Sequence, residues 1–106
     1  VKTLFRDENL GCKRAVSGAL DWFFEQEEEG IILEDDCVPD PSFFRFCEEM
    51  LERYRGEERV ATISGNNFVS RGPKDANRYY YSKYFHCWGW ATWASWPTRW
   101  NTCWGR

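Results

Sequence analysis

The sequence lacks a basic excess and a long apolar run, and both absences exclude whole classes of protein. Its 106 residues contain 14 Lys and Arg against 17 Asp and Glu, and one histidine. This balance gives no broad positive field, so we expect no sequence-independent nucleic-acid binding. No apolar stretch approaches the roughly 20 residues that a membrane-spanning helix needs, so we expect no membrane span.

A cysteine framework is also missing. The five cysteines are odd in number, are scattered, and form no Cys-x-x-Cys pair. A disulfide scaffold or a four-ligand zinc site would need paired, short spacings. We therefore expect reduced side chains in a cytoplasmic protein. The cysteines are Cys12, Cys37, Cys47, Cys87 and Cys103.

What the sequence does contain is apolar periodicity. Hydrophobic residues make up 42% and aromatic residues 19% of the chain, which is typical of one small folded domain. Three- and four-residue spacing predicts a helix over residues 10–27, with Asn9 as its N-cap. A second helix is predicted over residues 40–55, because Asp40 is a good N-cap and Pro41 suits the first helical position.

Short apolar runs predict strands between and after these helices. The runs cover residues 31–33, 60–63 and 79–81, and Gly30 supplies a stop signal before the first of them. A short helix is expected after Trp93. The resulting order of helices and strands predicts an α/β layered domain in which helices flank a mixed sheet.

Three consecutive acids, Glu34, Asp35 and Asp36, come directly after the first predicted strand. Ligands of open α/β sheets bind at the carboxyl ends of strands. Two carboxylates about 4 Å apart repel by about 4 kcal/mol at an effective dielectric near 20, which a divalent cation would relieve. Oxygen ligands suit Mg²⁺ or Mn²⁺. The spacing alone leaves two interpretations open, a cation site and a solvated acidic turn before an N-cap.

Residues 31–44, which contain these acids, resemble the Asp-x-Asp region of GT-A-fold glycosyltransferases. The likeness is strongest to the N-acetylglucosaminyltransferase I type, in which Glu-Asp-Asp ends a strand and a Pro-Asp-Phe-Phe helix follows. Residues 64–67 lie after the next strand, as in that family, and residues 88–90 are similar to its sugar-lining Gly-Trp loop. Residues 9–12 are similar to an Asn-x-Gly element of family-two-type transferases. The whole chain also looks like bacterial sugar transferases, some of them labelled hemolytic proteins.

The resemblance implies a partial GT-A (Rossmann-like) nucleotide-diphospho-sugar transferase domain. Residues 1–106 would be the central portion of that single domain. The strand and loop that hold the nucleotide base would precede Val1, and the catalytic base of inverting members would follow Arg106. We expect the isolated fragment to have little activity, and its truncated sheet edges favour self-association.

The same resemblance implies roles for the acids and for the start of the first helix. Asp36 would bind Mn²⁺ or Mg²⁺ directly, Asp35 would contact the ribose or the metal shell, and Glu34 would orient the donor sugar. Asn9 and Gly11 would contact the nucleotide sugar, although Asn9 is also explained as an N-cap and Gly11 as a relaxed helix start.

A second set of candidates would bind the sugar or the acceptor. It comprises Asn66, Asn67, Trp88, Gly89 and Trp90. Indole rings offer a flat apolar face and an N–H donor, and glycine lets backbone approach a ligand. Turn formation by the asparagines and core packing by the tryptophans are the competing explanations.

The catalytic base is not identified. Asp75 is a weak candidate in a polar loop, and His86 fits a structural role better than a catalytic one.

The leading hypothesis is a metal-dependent glycosyltransferase. It would move a sugar from a nucleoside-diphosphate sugar to a glycan or another hydroxyl acceptor. One alternative is a non-catalytic carbohydrate-binding module that uses the tryptophan-rich final third. The other is a nucleotidyltransferase, which the absence of a glycine- and lysine-rich phosphate loop disfavours.

Overall fold

The computed structural model describes residues 1–68 and 79–96, which form a small α/β structure with a three-stranded antiparallel sheet. The α/β class is confirmed at this level, and the sheet is antiparallel rather than mixed. The described residues divide into two compact units, one of residues 1–30 and 93–96 and the other Ile31–Thr92. No helix in the described part of the chain is long and apolar enough to cross a membrane. The elements are α1 (Gly11–Phe24), β1 (Glu29–Ile32), α2 (Pro41–Arg53), β2 (Ile63–Ser64) and β3 (Trp90–Trp93).

In the first unit, α1 begins one residue later than predicted. Leu10 is its N-cap and makes no side-chain capping bond, so the prediction of Asn9 as N-cap is wrong. Asn9 still takes part, because its side-chain oxygen accepts the backbone N–H of Gly11 at 2.8 Å. Gly11 has a φ of +74°, a left-handed conformation that glycine adopts at little cost.

Gly30 lies inside β1 and does not end a helix. A Cβ atom at this position would overlap the ring of Phe23 from α1. The glycine is therefore explained by close packing of that ring rather than by a stop signal.

The second unit contains the start of α2, where the prediction is confirmed. Asp40 is the N-cap and Pro41 is the first helical residue. The Asp40 carboxylate accepts the Ser42 backbone N–H at 2.9 Å and the Ser42 hydroxyl at 2.7 Å. These bonds hold the pKa of the Asp40 carboxyl below its usual value. The helix ends at Arg53, two residues earlier than the predicted residue 55.

The sheet has the strand order β1-β3-β2. β2 pairs antiparallel with β3, and Ile63 lies opposite Ala91. Because neighbouring strands of this sheet are antiparallel, β1 and β2 run in the same direction. Residues that follow β1 and β2 therefore meet at the edge where β3 begins.

Both α2 and the sheet contribute to the core of the second unit. Cys47, Met50 and Leu51 of α2 are buried, and α2 packs against β2. Thr92 of β3 is fully buried, and its hydroxyl donates to the Ala61 carbonyl at 2.8 Å. This bond satisfies a polar side chain that burial would otherwise destabilise.

Several strand predictions are wrong in extent or place. The strand expected over residues 60–63 begins only at Ile63, and residues 79–81 are not a strand. β3 was not predicted, because all four of its residues are buried and it shows no alternation of polar and apolar side chains. Residues 94–96 form a turn where a helix was expected to start. Asp75 and Cys103 lie outside the described residues.

The described cysteines, Cys12, Cys37, Cys47 and Cys87, form no disulfide bond. Cys47 is fully buried in α2, and burial raises the pKa of its thiol to about 12. This cysteine is therefore a neutral core side chain at ordinary pH.

Candidate functional site

A broad cavity lies within the second unit, at the sheet edge where β1 and β2 end and β3 begins. Its volume is about 1150 Å³, slightly above the usual range for small-molecule sites. Its described lining comes from Leu33, residues 36–40, the inner face of α2, residues 59–67, residues 79–84, His86 and residues 88–89. The opening therefore has room for more than one small ligand.

Five of the sequence-predicted site residues line this one cavity. They come from three segments that are far apart in the chain and follow or precede different strands. The sheet order explains the convergence, since the ends of β1 and β2 and the start of β3 share an edge. The five residues are Asp36, Asn66, Asn67, Trp88 and Gly89.

Hydrogen bonds fix the segment after β2 against the segment before β3. The Gly65 backbone N–H donates to the Gly89 carbonyl at 3.0 Å. The Asn66 side-chain amide donates to the Trp88 carbonyl. The Asn66 backbone N–H donates to the Ser64 hydroxyl at 3.2 Å. The Asn66 amide thus holds the loop that carries Trp88, which makes Asn66 a positioning residue.

Two glycines let these segments approach the first turn of α2. A Cβ atom on Gly65 would lie 2.5 Å from the Phe43 ring, closer than real contacts allow. Gly89 has a φ of +74°, and a Cβ atom there would lie 3.4 Å from Leu33 and 3.5 Å from Phe43. Because Phe43 contacts both loops, α2 positions this edge of the site.

The side chains of the three consecutive acids do not come together around one point. Glu34, Asp35 and Asp36 are all exposed, and Asp36 alone of the three lines the cavity. The backbone N–H of Cys37 donates to the Glu34 carbonyl at 3.1 Å, which makes a tight turn of these residues. In the described ranges, no group of three His, Cys, Asp or Glu side chains could hold a metal ion.

A single exposed carboxylate beside a cavity still fits one kind of cation site. Mg²⁺ commonly binds through one or two carboxylates, with water and substrate phosphates completing its octahedral shell. Asp36 has that placement, and its Oδ1 lies 3.8 Å from the Cys37 sulfur. The described residues therefore place one open carboxylate of the acidic run at the cavity, and they do not form a closed cation site made of protein alone.

The two tryptophans of the Trp-Gly-Trp segment have opposite environments. Trp88 is 60% exposed and lines the cavity, whereas Trp90 is 2% exposed and belongs to the core as the first residue of β3. We therefore leave Trp90 out of the candidate site. The ring of Phe68, also 60% exposed, lies 5.9 Å from the Trp88 ring and 4.8 Å from the His86 ring.

Asn9 and Gly11, the expected nucleotide contacts, lie in the first unit. The side-chain oxygen of Asn9 is engaged by the Gly11 N–H, so its observed part is to shape the start of α1. The cavity is lined within the second unit, and its described lining does not include these two residues.

Sequence reasoning missed the tyrosines. All five tyrosines of the chain line the cavity. Three of them are consecutive, and their apolar rings predict a strand that the structure does not contain. One signal in the sequence could have shown this. Polar residues flank Tyr79, Tyr80 and Tyr81, whereas a buried strand would contain aliphatic residues.

One ion pair lies beside the tyrosines. Two guanidinium nitrogens of Arg59 each lie 2.9 Å from a Glu57 carboxylate oxygen. The hydrogen bonds from Arg59 lower the pKa of the Glu57 carboxyl to about 2. Two hydrogen bonds, the more important one with Tyr79 and the other with Tyr81, raise the pKa of the Tyr54 phenol above its usual value.

Comparison with known proteins gives no further guide. No family model, no curated protein and no solved structure matches this chain.

Proposed function

We propose that the chain is part of a metal-dependent glycosyltransferase and binds a nucleoside-diphosphate sugar in this cavity. The observation that carries the proposal is the convergence of Asp36, Asn67 and Trp88 on one cavity. A carboxylate, an amide and an exposed indole together suit a ligand that has both a diphosphate and a sugar ring. The resemblance of residues 31–44 to the Asp-x-Asp region supports the same function.

Asp36 is the residue that would hold Mg²⁺ or Mn²⁺ in this proposal. Such an ion would neutralise negative charge on the diphosphate leaving group. Glu34 and Asp35 are exposed beside Asp36 and make the local potential more negative, which favours capture of a cation.

Trp88 would provide the sugar contact. Its exposed indole presents an apolar face that matches the C–H face of a pyranose, and its N–H can donate to a hydroxyl. Asn66 holds the Trp88 backbone in place, and Gly89 allows the turn that exposes the ring. The acceptor hydroxyl would lose its proton to a base that the described residues do not identify.

A thermal-shift experiment on the whole chain tests the proposal. Mn²⁺ would be added together with each of the common nucleoside diphosphates. A nucleotide at about ten times its Kd adds about 1.4 kcal/mol, which raises the Tm of a chain of this size by about 5 to 10 °C. We expect Asp36→Asn to abolish that rise.

Glu48→Gln is the matched control, because Glu48 is an exposed acid of α2 that does not line the cavity. It removes the same charge, and we expect it to keep the full rise. Absence of any rise in the unmodified chain, or an equal rise in Asp36→Asn, would contradict the proposal.

A carbohydrate-binding module is the second candidate. The exposed rings of Phe68 and Trp88 favour it, since exposed aromatic rings suit sugar stacking without a metal. It predicts glycan binding that survives both EDTA and Asp36→Asn, with no response to nucleotide.

A further inference from the structure

One side of the cavity is formed by all five tyrosines of the chain, which we call the tyrosine wall: Tyr54, Tyr79, Tyr80, Tyr81 and Tyr84. We propose that the tyrosine wall binds a neutral oligosaccharide. The interpretation of the wall as the site for the sugar acceptor rests on the proposed function. The binding of an oligosaccharide does not.

The centre of the tyrosine wall is held in a fixed arrangement. The Tyr54 hydroxyl is hydrogen-bonded to the Tyr79 hydroxyl at 2.7 Å and also to the Tyr81 hydroxyl. The three rings lie 6.1 to 6.3 Å apart at angles of 76 to 86°, which is edge-to-face packing. The Arg53 guanidinium lies 5.8 Å from the ring centres of both Tyr54 and Tyr79. A surface ordered before binding loses less entropy when a ligand arrives.

Three tyrosines of the wall remain available to a ligand. Tyr80 is 51% exposed, Tyr81 is 72% exposed and Tyr84 is 69% exposed. The Tyr80 hydroxyl donates to the Asn67 side-chain oxygen at 3.4 Å, so the wall adjoins the amide side of the cavity. Tyrosine supplies a large contact area and a polar tip with only two side-chain torsions to restrict.

In the absence of a metal ion, the charges around the cavity favour a neutral ligand at the tyrosine wall. Its described lining contains two acids and two bases, namely Asp36, Asp40, Arg59 and Lys83. Asp40 caps α2, and Arg59 is paired with Glu57. Lys83 is the other base of this lining, and its Nζ lies 5.3 Å from the centre of the Tyr84 ring. An acidic ligand bound without a metal ion would therefore have few cations to pair with, and a purely apolar ligand would strip water from the exposed edges of the phenol rings. A neutral sugar combines hydroxyls with an apolar ring face, which matches what the wall offers.

Calorimetric titration of the full chain in EDTA tests this inference. The probes are chitotetraose, cellotetraose and maltotetraose, with tetragalacturonate as an acidic oligosaccharide of the same length. We expect saturable binding of at least one neutral probe and weaker binding of tetragalacturonate. Removing two exposed rings in the double variant Tyr80→Ala, Tyr84→Ala should weaken binding about tenfold or more.

Two further variants keep the test decisive. Phe5→Ala removes an exposed ring that does not line the cavity, and it should bind like the unmodified chain. Tyr81→Phe keeps the ring and removes one hydroxyl, and it should bind several-fold more weakly while keeping the circular dichroism spectrum unchanged.

The inference is overturned if no neutral probe binds, if tetragalacturonate binds more tightly, or if the double variant binds as well as Phe5→Ala. A glycan that binds when Mn²⁺ and nucleotide give no thermal shift supports the wall and contradicts the transferase. The reverse pattern, with a thermal shift and no glycan binding, contradicts the wall alone.

Discussion

The acidic segment of residues 34–36 and the tyrosine wall face the same cavity but differ in how they are assembled. The acids are consecutive in the chain, yet Asp36 is the one that lines the cavity. The wall joins Tyr54 at the end of α2 to residues 79–84, which lie far along the sequence, and all of its members line the cavity. A run of like residues therefore overstates a site, because the tight turn at residues 34–37 does not bring all three side chains to the cavity. A site assembled by the fold can be larger than any motif shows.

The largest expected effect comes from Gly65→Ala. This variant tests whether the cavity that both regions line depends on the packing of Gly65 against the Phe43 ring. The new methyl group would meet the Phe43 ring at 2.5 Å and force apart the first turn of α2 and the loop after β2. We expect the free energy of unfolding to fall by about 2 to 3 kcal/mol, measured by urea denaturation.

Gly56→Ala is the control for that variant. A Cβ atom on Gly56 meets nothing within 4 Å, although its φ of +80° adds a backbone strain that Gly65 does not have. Backbone strain alone should cost about 1 kcal/mol. Equal losses for the two variants would mean that Phe43 does not support the edge.

Cysteine labelling sharpens the acidic side of the comparison. Cys37 lines the cavity beside Asp36, and Cys12 is exposed in the first unit. With Mn²⁺ and nucleotide bound, we expect alkylation of Cys37 to slow several-fold and alkylation of Cys12 to stay unchanged, as followed by peptide mass spectrometry. Cys47 should react slowest throughout, because it is buried and its thiol pKa is about 12. Equal protection of Cys12 and Cys37 would count against a cavity site.

Tyr54→Phe breaks the tyrosine wall and leaves the acidic segment intact. The variant loses the hydroxyl that bonds to Tyr79 and Tyr81 but keeps its ring. We expect a several-fold loss of oligosaccharide affinity by calorimetry, together with an unchanged thermal shift from Mn²⁺ and nucleotide. Loss of both responses would show that the acidic segment and the tyrosine wall depend on each other.

The smallest expected effect is a pH dependence at the margin of the wall. The Glu57 carboxyl has a pKa of about 2 instead of 4.5 when folded, because Arg59 donates hydrogen bonds to it. The folded state therefore binds the proton less readily than the unfolded state. The stabilisation is present above pH 4.5 and is lost as the pH falls toward 2.

Glu57→Gln should flatten this part of the curve of Tm against pH. The change should be small, because the pair is exposed to solvent. A curve that stays as steep as that of the unmodified chain would assign the acid sensitivity to other carboxyls.

Local signals account for the parts of the fold that could be predicted. Asp40 and Pro41 specify the start of α2 by capping and by a fixed φ, and both act within a few residues. β3 could not be predicted in the same way, since Ala91 pairs with Ile63 and Thr92 bonds to Ala61, both distant in sequence. The prediction of Gly30 as a stop signal is wrong for the same reason, because its contact is with Phe23 of another element.

In the candidate site, too, some residues are predicted by local motifs and others depend on tertiary contacts. Asp36 and Trp88 were found because short motifs contain them, and the structure places both at the cavity. The role of Asn66 in holding the Trp88 carbonyl, and the gathering of the tyrosines, depend on tertiary contacts. No local pattern encodes such contacts, so they could only be seen once the sheet order was known.

Paramagnetic broadening by Mn²⁺ in the presence of a nucleoside diphosphate tests the central claim most directly. Amide signals of the chain would be followed by NMR as Mn²⁺ is added in substoichiometric amounts. We predict that the signals of Asp36, Asn67 and Trp88 broaden together and first, and that Asp36→Asn abolishes this. Broadening that centres on the acidic run of residues 27–29, or that is unchanged in Asp36→Asn, would contradict the account.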